Sequence, residues 1–445
     1  MGKMTRRGNW DLPHPGPVEK IQLSERHIRL RTGLAVLFFV IGASALIYGF
    51  LGLLGGGDGG WREITASSTG KEHCGGEFVF QYDIEGDGPA VRTQVRQLTD
   101  LYTEAMVHAY QLFHSQSFFE GVNNLHAINR CPGEALTVEP ALYEALWLLQ
   151  ESGCREQYLG PVYVQYGNLF AAESDEQAME FDPFLNPEAG AACREMAAYA
   201  ADPAAVRVEL LEDRQVRLVL SDEYAGYARE NGITEFVDLG WMRNAFVIDY
   251  VAQALEAQGY TRGVLSSYDG FTRNLDRRGG GYAYPLFDRR EQNIYEAGIL
   301  EYNRPVSMVF LRDYPMNRLD TLQYYEWESG EIRFPYVDVE SGLCKAALHN
   351  LVGYSYEGGC ARVLLSLLPV YVADSFAPEA LQGLAEEGIY SIYCQGQRVY
   401  RTEEAAEIVE VHDGYRASRK AAPCLISGIL KFVAGEAGDA LKARL

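Results

Sequence analysis

Few of the residue types that carry chemistry stand at spacings that define a known kind of site. The sequence contains no Gly-x-Ser-x-Gly, His-Glu-x-x-His, Cys-x-x-Cys or phosphate-loop pattern. Its eight histidines are scattered and show no metal-ligand spacing. Acidic pairs such as Asp288 and Glu291 lie in a charge-rich stretch, where a solvated surface is the simpler interpretation. Any reaction must therefore depend on residues that distant parts of the chain bring together.

The elements that would position such residues are clearest in residues 235–276. A short apolar run at Phe236 and Val237 predicts a strand, and Gly259 stands where a helix should stop. Residues 263–267 predict a second strand. Between the two strands, apolar residues recur at three- and four-residue steps, namely Ala245, Ile248, Val251, Ala252 and Leu255. The stretch therefore predicts a β-α-β unit and an α/β core layer.

Further patterns extend this prediction along the chain. Alternation predicts a strand over residues 78–84 and a hairpin over 205–220, and a long amphipathic helix is expected over 89–113. The remaining expected elements are a helix over 140–150, antiparallel strands within 279–338, helices over 361–369 and 378–386, and a strand over 389–394.

Several blocks of sequence resemble the flavin transferases of the ApbE type, which are FAD:protein FMN transferases. The resemblance covers roughly residues 78–401 and is good at scaffold positions in three separate blocks. The family segment G-A-F-D-V-T-V-G-P aligns with Gly153-Cys154-Arg155-Glu156-Gln157-Tyr158-Leu159-Gly160-Pro161. The family segment D-L-G-G-I-A-K-G-Y-A-V-D aligns with Asp238-Leu239-Gly240-Trp241-Met242-Arg243-Asn244-Ala245-Phe246-Val247-Ile248-Asp249. Val138-Glu139-Pro140-Ala141-Leu142-Tyr143 resembles the family's V-x-P-x-L-Y.

This resemblance implies a fold and a ligand. The implied fold class is α/β, with α and β elements mixed, in an ApbE-like flavin transferase fold preceded by one transmembrane helix. A family member holds FAD and transfers its FMN half to a threonine, with Mg²⁺ neutralising the pyrophosphate. FAD is therefore the expected ligand. The residues that the resemblance places at its site are Glu156, Tyr158, Gly160, Asn244, Asp249, Asp338, Arg362 and Ser366.

The chain departs from the family at several of the places where chemistry is expected. Asn244-Ala245 replaces a lysine-glycine, and Tyr268-Asp269 replaces a glycine pair. In the final helix the family's A-D-A-L-A-T aligns with Ala361-Arg362-Val363-Leu364-Leu365-Ser366. A guanidinium repels a cation and Ser366 alone cannot hold one, so this departure argues against a Mg²⁺ site and no metal ligand is predicted.

The family's histidine is also replaced. Its H-I-I-D-P-x-T-G aligns with Pro335-Tyr336-Val337-Asp338-Val339-Glu340-Ser341-Gly342. Proline offers neither a proton nor a lone pair, so no catalytic residue is predicted there. His349 could substitute for the lost histidine, or it could be an ordinary solvent-facing histidine.

Two of the replacements have alternative interpretations. Arg362 could pair with a pyrophosphate directly, or it could be a surface arginine that forms salt bridges. Tyr158 would occupy the space of a small threonine, and the aromatic residues Tyr282, Tyr284 and Phe287 could help to fill the same cleft. Tyrosines could instead stack on an isoalloxazine ring, and the sequence does not separate filling from binding.

Residues 34–54 contain no charged side chain and are long enough to cross a bilayer. Basic residues precede this segment and acidic residues dominate after it, which predicts a cytoplasmic N-terminus and an extracytoplasmic main domain. A cleaved signal peptide is the alternative. The expected organisation is a leader (1–33), a span (34–54), a Gly-rich tether (55–76), the ApbE-like domain (77–401) and an extension (402–445). Within the extension, residues 425–445 are expected to form a surface helix.

The net charge and the cysteine content indicate which partners and which cellular compartment are expected. A net charge of −22 and a pI near 4.8 argue against nucleic acid as a partner. All eight cysteines follow residue 70, which suits disulfides in an oxidising compartment. Cys344 with Cys360, and Cys394 with Cys424, are the plausible local pairs. Free buried thiols are the alternative.

The scaffold positions are kept and the chemical positions are replaced, whereas random degeneration should damage both equally. The sequence therefore predicts a membrane-anchored ApbE-like protein that has lost catalysis and that binds a flavin or nucleotide or docks a partner in a membrane complex. An active transferase that uses unusual residues is one alternative. A structural ectodomain with a filled cleft is another.

Overall fold

The computed structural model describes residues 59–67, 74–291, 293–316, 320, 323–409 and 416–418. The chain divides into two units, residues 59–86 with 90–445 and residues 1–58 with 87–89. All of the described strands lie in the first of these units. Among the described residues, no helix has both the length and the apolar character needed to cross a membrane. The predicted span at 34–54 lies outside them.

Within the described residues, the segments of the sequence that were predicted to be helical form helices in the structure. The predicted helices over 89–113, 140–150, 361–369 and 378–386 are confirmed with small changes of their ends. In chain order the described helices are α1 (Gly88–Leu112), α2 (Leu125–Arg130), α3 (Pro140–Glu151), α4 (Gly160–Phe170), α5 (Asp175–Phe181), α6 (Pro187–Ala201), α7 (Asp222–Asn231), α8 (Arg243–Ala257), α9 (Cys360–Tyr371) and α10 (Pro378–Glu386).

Most of the strands are short, and several consecutive pairs form hairpins. They are β1 (Gly60–Ile64), β2 (Phe78–Ile84), β3 (Ala135–Thr137), β4 (Val206–Leu210), β5 (Gln215–Leu220), β6 (Gly263–Ser267), β7 (Phe271–Asn274), β8 (Tyr282–Arg290), β9 (Asn293–Tyr302), β10 (Val306–Arg312), β11 (Tyr325–Glu326), β12 (Ile332–Arg333), β13 (Asn350–Ser355), β14 (Tyr390–Gln395), β15 (Arg398–Arg401), β16 (Glu407–Val409) and β17 (Arg416–Ser418).

One large sheet organises the described residues. It has nine strands in the order β1-β2-β6-β7-β10-β13-β14-β15-β17, and every neighbouring pair is antiparallel except β15 with β17. Smaller sheets have the orders β16-β9-β8, β3-β5-β4 and β11-β12. The mixed α and β class is therefore confirmed, and the pairing is mainly antiparallel.

The first strand of the predicted β-α-β unit is wrong. Phe236 and Val237 form no strand, although α8 and β6 follow as predicted. The side chain of Asn129 explains the difference. Its Oδ1 accepts hydrogen bonds from the backbone N–H groups of Phe236 at 3.1 Å and Val237 at 2.8 Å, and its Nδ2 donates to the carbonyl of Val237 at 2.9 Å. A buried amide thus pairs backbone groups that a neighbouring strand would otherwise pair.

Two apolar cores lie on the two faces of the large sheet. Val309 and Leu311 of β10 belong to the larger core, which the helices cover, whereas Met308 and Phe310 belong to a second core with residues of β8, β9 and β16. A strand covered on both faces is expected to be apolar throughout, and β10 is buried along its whole length. Helix α9 packs closely on the face of the sheet that belongs to the larger core. The side chain of Leu367 lies so near Gly353 of β13 that a Cβ at this position would collide with it, and glycine makes the close approach possible.

The predicted disulfide between Cys344 and Cys360 is wrong. Both residues are free and buried, and the thiol of Cys360 donates instead to the carbonyls of Thr272 at 3.3 Å and Met308 at 3.5 Å. Burial raises the pKa of the Cys344 thiol to about 11, so this thiol is protonated at neutral pH. The partner proposed for Cys394, Cys424, lies outside the described residues.

Part of the predicted tether is ordered sheet. Within residues 55–76, β1 pairs antiparallel with β2, from Gly60 opposite Ile84 to Ile64 opposite Phe80. Ile64, Ala66 and Cys74 are all buried, so the Gly-rich stretch already contributes three residues to the core. Residues 60–64 are therefore part of the sheet rather than part of a tether.

Candidate functional site

A group of charged and amide side chains meets where several elements of the large sheet end. We call Glu77, Arg243, Asn244, Asp269, Arg312 and Asp320 the polar cluster. Glu77 ends a short 3₁₀ turn before β2, and Arg243 and Asn244 open α8. Asp269 lies in the turn between β6 and β7, and Arg312 is the last residue of β10.

Asn244 is the junction of the polar cluster. Its Nδ2 donates to Glu77 Oε2 at 2.9 Å and to Asp269 Oδ2 at 2.8 Å, and the residue is 4% exposed. Because both neighbours are carboxylates, the amide nitrogen must face them. The amide oxygen is buried and has no hydrogen-bond partner among the described residues. Sequence alignment placed Asn244 and Asp269 at two separate positions of the family site, and the structure joins them directly.

Two arginines flank this junction. Arg243 donates to both carboxylate oxygens of Glu77 at 3.2 Å. Burial alone would lower the pKa of Arg243, but the charge of Glu77 holds it above its ordinary value. The Nε atoms of Arg243 and Arg312 are buried and, within the part of the chain that the structure describes, unpaired.

Arg312 is 1% exposed and forms a buried ion pair. Its terminal nitrogen contacts both oxygens of Asp320 at 3.1 Å. The same guanidinium donates to the carbonyls of Tyr268 at 3.1 Å and Asp269 at 3.3 Å. Arg312 therefore fastens the β6–β7 turn to the end of β10.

Asp269 titrates in an unusual range. Burial raises the pKa of Asp269 to about 6, and the neighbouring charge of Glu77 also raises it. Hydrogen bonds from Ser267 and Asn244 oppose this rise but do not cancel it. Near pH 6 the Asp269 carboxyl group therefore gains or loses a proton, which changes the net charge of the polar cluster by one unit.

Asp249 joins α8 to the start of α9. Its carboxylate accepts hydrogen bonds from the backbone N–H groups of Cys360 at 2.8 Å and Ala361 at 2.9 Å, and from Arg273 at 3.1 Å. A carboxylate at a helix N-terminus is favourable because it faces the unpaired N–H groups. Burial raises the pKa of Asp249, while Arg273 and the two N–H groups lower it.

Arg362 and Ser366 lie further along α9. Arg362 is exposed, and among the described residues its guanidinium has no hydrogen-bond or ion-pair partner. The hydroxyl of Ser366 donates to the backbone carbonyl of Arg362 at 3.0 Å. Asp249 holds the first turn of the same helix, but it contacts neither of these side chains.

The three predicted residues around α4, Glu156, Tyr158 and Gly160, make contacts within the protein. Glu156 accepts hydrogen bonds from the Cys154 thiol at 3.0 Å and from the Arg155 backbone N–H at 2.9 Å. Tyr158 is 5% exposed, and its hydroxyl accepts from the N–H of Val208 at 2.9 Å. The Arg155 guanidinium lies 4.3 Å from the centre of the Tyr158 ring.

Gly160 allows this region to approach the segment before α8. A Cβ at Gly160 would collide with the carbonyl oxygen of Glu235. The backbone N–H of Asp238 also donates to the carbonyl of Gln157 at 2.9 Å. The predicted block 153–161 therefore supports the start of α8 from one side.

Asp338 forms a turn, as its sequence suggested. It accepts hydrogen bonds from the Ser341 hydroxyl at 2.6 Å and from Lys345 Nζ at 3.0 Å. Burial alone would raise the pKa of Asp338, but Ser341 and Lys345 lower it. Asp338 contacts none of the other predicted site residues.

His349 pairs with Asp313 through Nδ1 at 2.8 Å, and its side chain is 60% exposed. This hydrogen bond raises the pKa of His349 above its ordinary value.

Within the described residues, no three His, Cys, Asp or Glu side chains are placed to hold a metal ion together.

Sequence reasoning missed Glu77, Arg243, Arg312 and Asp320. A signal was available for Arg312, because an arginine that closes the mostly apolar strand Val306–Arg312 needs a buried partner. That partner, Asp320, lies outside any regular element and has no periodic signal. Two cavities of the described residues, of about 410 and 380 Å³, are lined by none of the predicted site residues.

No protein-family model matches the sequence, and no curated protein matches it. Solved structures similar to this chain include the ApbE protein of Thermotoga maritima, with 12% identity over 79% of this chain and 97% of that one and a TM-score of 0.48. The flavin transferase ApbE of Vibrio cholerae is 11% identical over 79% of this chain and 98% of that one, with a TM-score of 0.45. The apo flavinyl transferase ApbE of Pseudomonas stutzeri is 13% identical over 80% and 96%, with a TM-score of 0.46.

Proposed function

We propose that this chain is a membrane-anchored, extracytoplasmic protein that uses a flavin-transferase-like fold without performing flavin transfer. Its own polar side chains occupy the place where the sequence resemblance puts the cofactor loop. The protein then serves as a docking domain for partners at the membrane. The observation that carries this proposal is the buried position of Arg312 against the Tyr268–Asp269 turn.

The turn at Tyr268 and Asp269 aligns with a glycine pair in the resembled family. Glycines allow a ligand to approach the backbone closely, because they have no side chain. Here the carbonyls of both residues accept hydrogen bonds from Arg312, and the Asp269 carboxylate is held by Asn244. The two backbone carbonyls of the turn and the Oδ2 atom of Asp269 are thus already paired inside the protein, whereas Asp269 Oδ1 is buried without a hydrogen-bond partner among the described residues.

The other replaced positions support the same conclusion. Arg362 stands where the family has a metal-binding aspartate, and it places a positive charge there. The Asp249 carboxylate accepts three hydrogen bonds from within the chain, one of them from the charged Arg273. Asp338 is neutralised by Lys345. The carboxylates of Asp249 and Asp338, which could otherwise bind a cation, therefore make hydrogen bonds and ion pairs that stabilise the fold.

Membrane anchoring rests on the sequence. Residues 34–54 are uncharged and are preceded by basic residues, which favours an uncleaved anchor with the main domain outside. Apolar side chains for a partner are available on the described surface, where α5 and the following loop expose Met179 at 53%, Phe184 at 46% and Leu185 at 46%.

A titration of FAD into the full chain, followed by quenching of flavin fluorescence with and without Mg²⁺, tests the proposal. We expect no saturable quenching up to roughly 100 µM FAD, which corresponds to a binding free energy weaker than about 5.5 kcal/mol. Mg²⁺ should not change this result. Magnesium-dependent binding would contradict the proposal and would favour an active transferase.

A second function, flavin or nucleotide binding without catalysis, is favoured by one observation. The Asn244 amide oxygen and the Nε atoms of Arg243 and Arg312 are buried and unpaired in the described part of the chain, and a polar ligand could pair them. This function predicts FAD binding that needs no Mg²⁺ and that Asn244→Ala abolishes. Asn123→Ala is the matched control, because Asn123 is an exposed asparagine that donates to the Thr137 carbonyl.

A further inference from the structure

Three tyrosines and a glutamate meet at the end of β13, away from the polar cluster. We call Tyr354, Tyr356, Tyr390 and Glu403 the tyrosine–glutamate cluster. Tyr354 of β13 lies opposite Tyr390 of β14, and the centres of their rings are 5.6 Å apart. The ring of Tyr356 lies 5.8 Å from that of Tyr354 and 6.0 Å from that of Tyr390. Arg312 of the polar cluster pairs with the other end of β13, so the two sites are separate.

Glu403 places a buried negative charge beside these rings. The residue is 9% exposed, and its Oε2 accepts hydrogen bonds from the hydroxyls of Tyr354 at 2.7 Å and Tyr356 at 3.0 Å. Among the described residues, the contact of its other oxygen, Oε1, is with Arg304 at 3.5 Å. A hydrogen bond between a cationic N–H and a carboxylate is ordinarily about 2.7–2.9 Å long. The Oε1 atom therefore lacks a hydrogen bond of ordinary length.

An arginine of the chain itself lies over the cluster. Arg304 belongs to the connection between β9 and β10, and its side chain is 54% exposed. Its guanidinium carbon is 3.2 Å from the centre of the Tyr356 ring. A guanidinium is planar, stacks on aromatic rings and donates along its edge to carboxylates. The cluster therefore already accommodates a guanidinium, but it holds this one by stacking and by a single long contact.

The rim of the cluster is acidic. Glu301 of β9 and Glu407 of β16 lie directly opposite each other and are both exposed. Like charges at opposite positions of an antiparallel pair are destabilising. Within the part of the chain that the structure describes, neither carboxylate forms an ion pair. Glu301 is three residues before Arg304 and Glu407 is four residues after Glu403, so both lie close to the cluster.

We propose that the tyrosine–glutamate cluster is a docking site for an arginine side chain of a basic partner protein, and that Arg304 covers the site until that arginine replaces it. The incoming guanidinium stacks on Tyr356 and donates to Oε1 of Glu403, and basic neighbours of the same arginine pair with the acidic rim. The net charge of −22 attracts such a partner from a distance. The site gives the docking role proposed above a partner of defined chemistry, and in that respect it rests on the proposed function.

A titration with the peptide Gly-Lys-Arg-Lys-Gly tests the proposal. The full chain, in detergent micelles, carries 3-fluorotyrosine in place of Tyr390, and fluorine NMR follows binding. We expect a saturable shift of the fluorine resonance. The same peptide with citrulline in place of arginine is the matched control, because citrulline has the same shape without the charge, and it should cause no saturable shift. An equal response to both peptides would overturn the proposal.

Arg304→Ala tests whether this arginine covers the site reversibly. The variant should bind the peptide at least about tenfold more tightly, because its site is always open. Arg207→Ala is the matched control and should bind like the wild type, since Arg207 is a half-exposed arginine that pairs with Glu209 in a different sheet. Binding to Arg304→Ala without binding to the wild type would overturn the proposal, because Arg304 would then be a permanent structural partner of Glu403.

Two further variants test the carboxylates. Glu403→Gln should abolish binding, and binding that survives this substitution would overturn the proposal. The double variant Glu301→Gln with Glu407→Gln keeps the buried Glu403 intact and changes exposed side chains alone, so the fold should tolerate it. It should weaken peptide binding roughly two- to fivefold, and unchanged binding would contradict the role of the rim. The FAD titration tests the proposed function separately, so a failure of peptide binding is distinguishable from a failure of that proposal.

Discussion

Two arginines, one at the start of α9 and one in the polar cluster, have very different environments. Arg362, at the start of α9, occupies an aligned family position but is exposed and, among the described residues, has no side-chain partner. Arg312, at the end of β10, occupies no aligned motif but is 1% exposed and contacts Asp320 and two backbone carbonyls. The arginine that alignment emphasised lies on the surface, and the arginine that alignment did not mention belongs to a buried polar junction.

The difference shows that alignment with a family locates a backbone position and says little about the environment of its side chain. The start of α9 is held by Asp249, whose carboxylate is satisfied by three donors. The polar cluster still contains buried polar atoms that have no partner within the described residues, including the Asn244 amide oxygen. Of these two regions, the polar cluster therefore has the greater remaining capacity for hydrogen bonds.

The largest effect is expected from Arg312→Ala. This substitution leaves the Asp320 carboxylate buried without its ion partner, which should cost about 3–5 kcal/mol of unfolding free energy. Arg362→Ala is the matched control and should change stability by no more than about 0.5 kcal/mol. Urea unfolding of the two variants measures both values, and equal losses would remove the distinction between the two regions.

A smaller loss is expected from Asp249→Asn. The change removes the negative charge that faces the first N–H groups of α9 and pairs with Arg273, at a cost of about 1.5–3 kcal/mol. Hydrogen exchange should rise first at Cys360 and Ala361. If exchange rises uniformly over the whole domain while these two residues keep their relative protection, Asp249 does not act as the joint between α8 and α9.

A further prediction is a difference in pH dependence between two aspartates. The pKa of Asp269 is raised to about 6 in the folded protein, above the value of about 3.9 expected when unfolded. The folded state then binds more protons, so stability should fall as the pH rises from about 4 to about 6. Asp269→Asn should remove this slope, as measured by thermal unfolding across that range.

Asp276 provides the opposite case and the control. Burial alone would raise its pKa, but Arg278 and Tyr282 donate to the carboxylate and lower it to about 2. Its contribution to stability is present above about pH 4 and is lost as the pH falls towards 2. Asp276→Asn should therefore leave the slope between pH 4 and 6 unchanged. A slope that also survives in Asp269→Asn would assign the titration to another group.

Much of the fold was predictable because it depends on local periodicity. The spacing of Ala245, Ile248 and Leu255 predicted α8, and the alternation over 205–220 predicted the β4–β5 hairpin. The failure at Phe236 and Val237 has a non-local cause. Asn129, more than a hundred residues earlier, pairs their backbone groups, and no pattern near residue 236 indicates this.

The candidate site was less predictable for the same reason. Resemblance to a family placed Asn244 and Tyr268–Asp269 at related positions, and the structure joins Asn244 to Asp269. Glu77 and Asp320 come from a short turn and an irregular segment, so only the three-dimensional pairing reveals them. The Cys344–Cys360 pairing was wrong because closeness in sequence does not bring two buried side chains together.

The most direct test of the central claim is the transfer reaction itself. In that reaction a threonine hydroxyl forms a bond to the FMN phosphorus of FAD, the pyrophosphate bond breaks, and AMP leaves while the hydroxyl proton passes to solvent. The full chain is incubated with FAD, Mg²⁺ and a threonine-containing acceptor that an ApbE transferase modifies, with that transferase as the positive control. We predict neither AMP release above the enzyme-free rate nor an increase in acceptor mass. Magnesium-dependent AMP release together with FMN on the acceptor threonine would contradict the account.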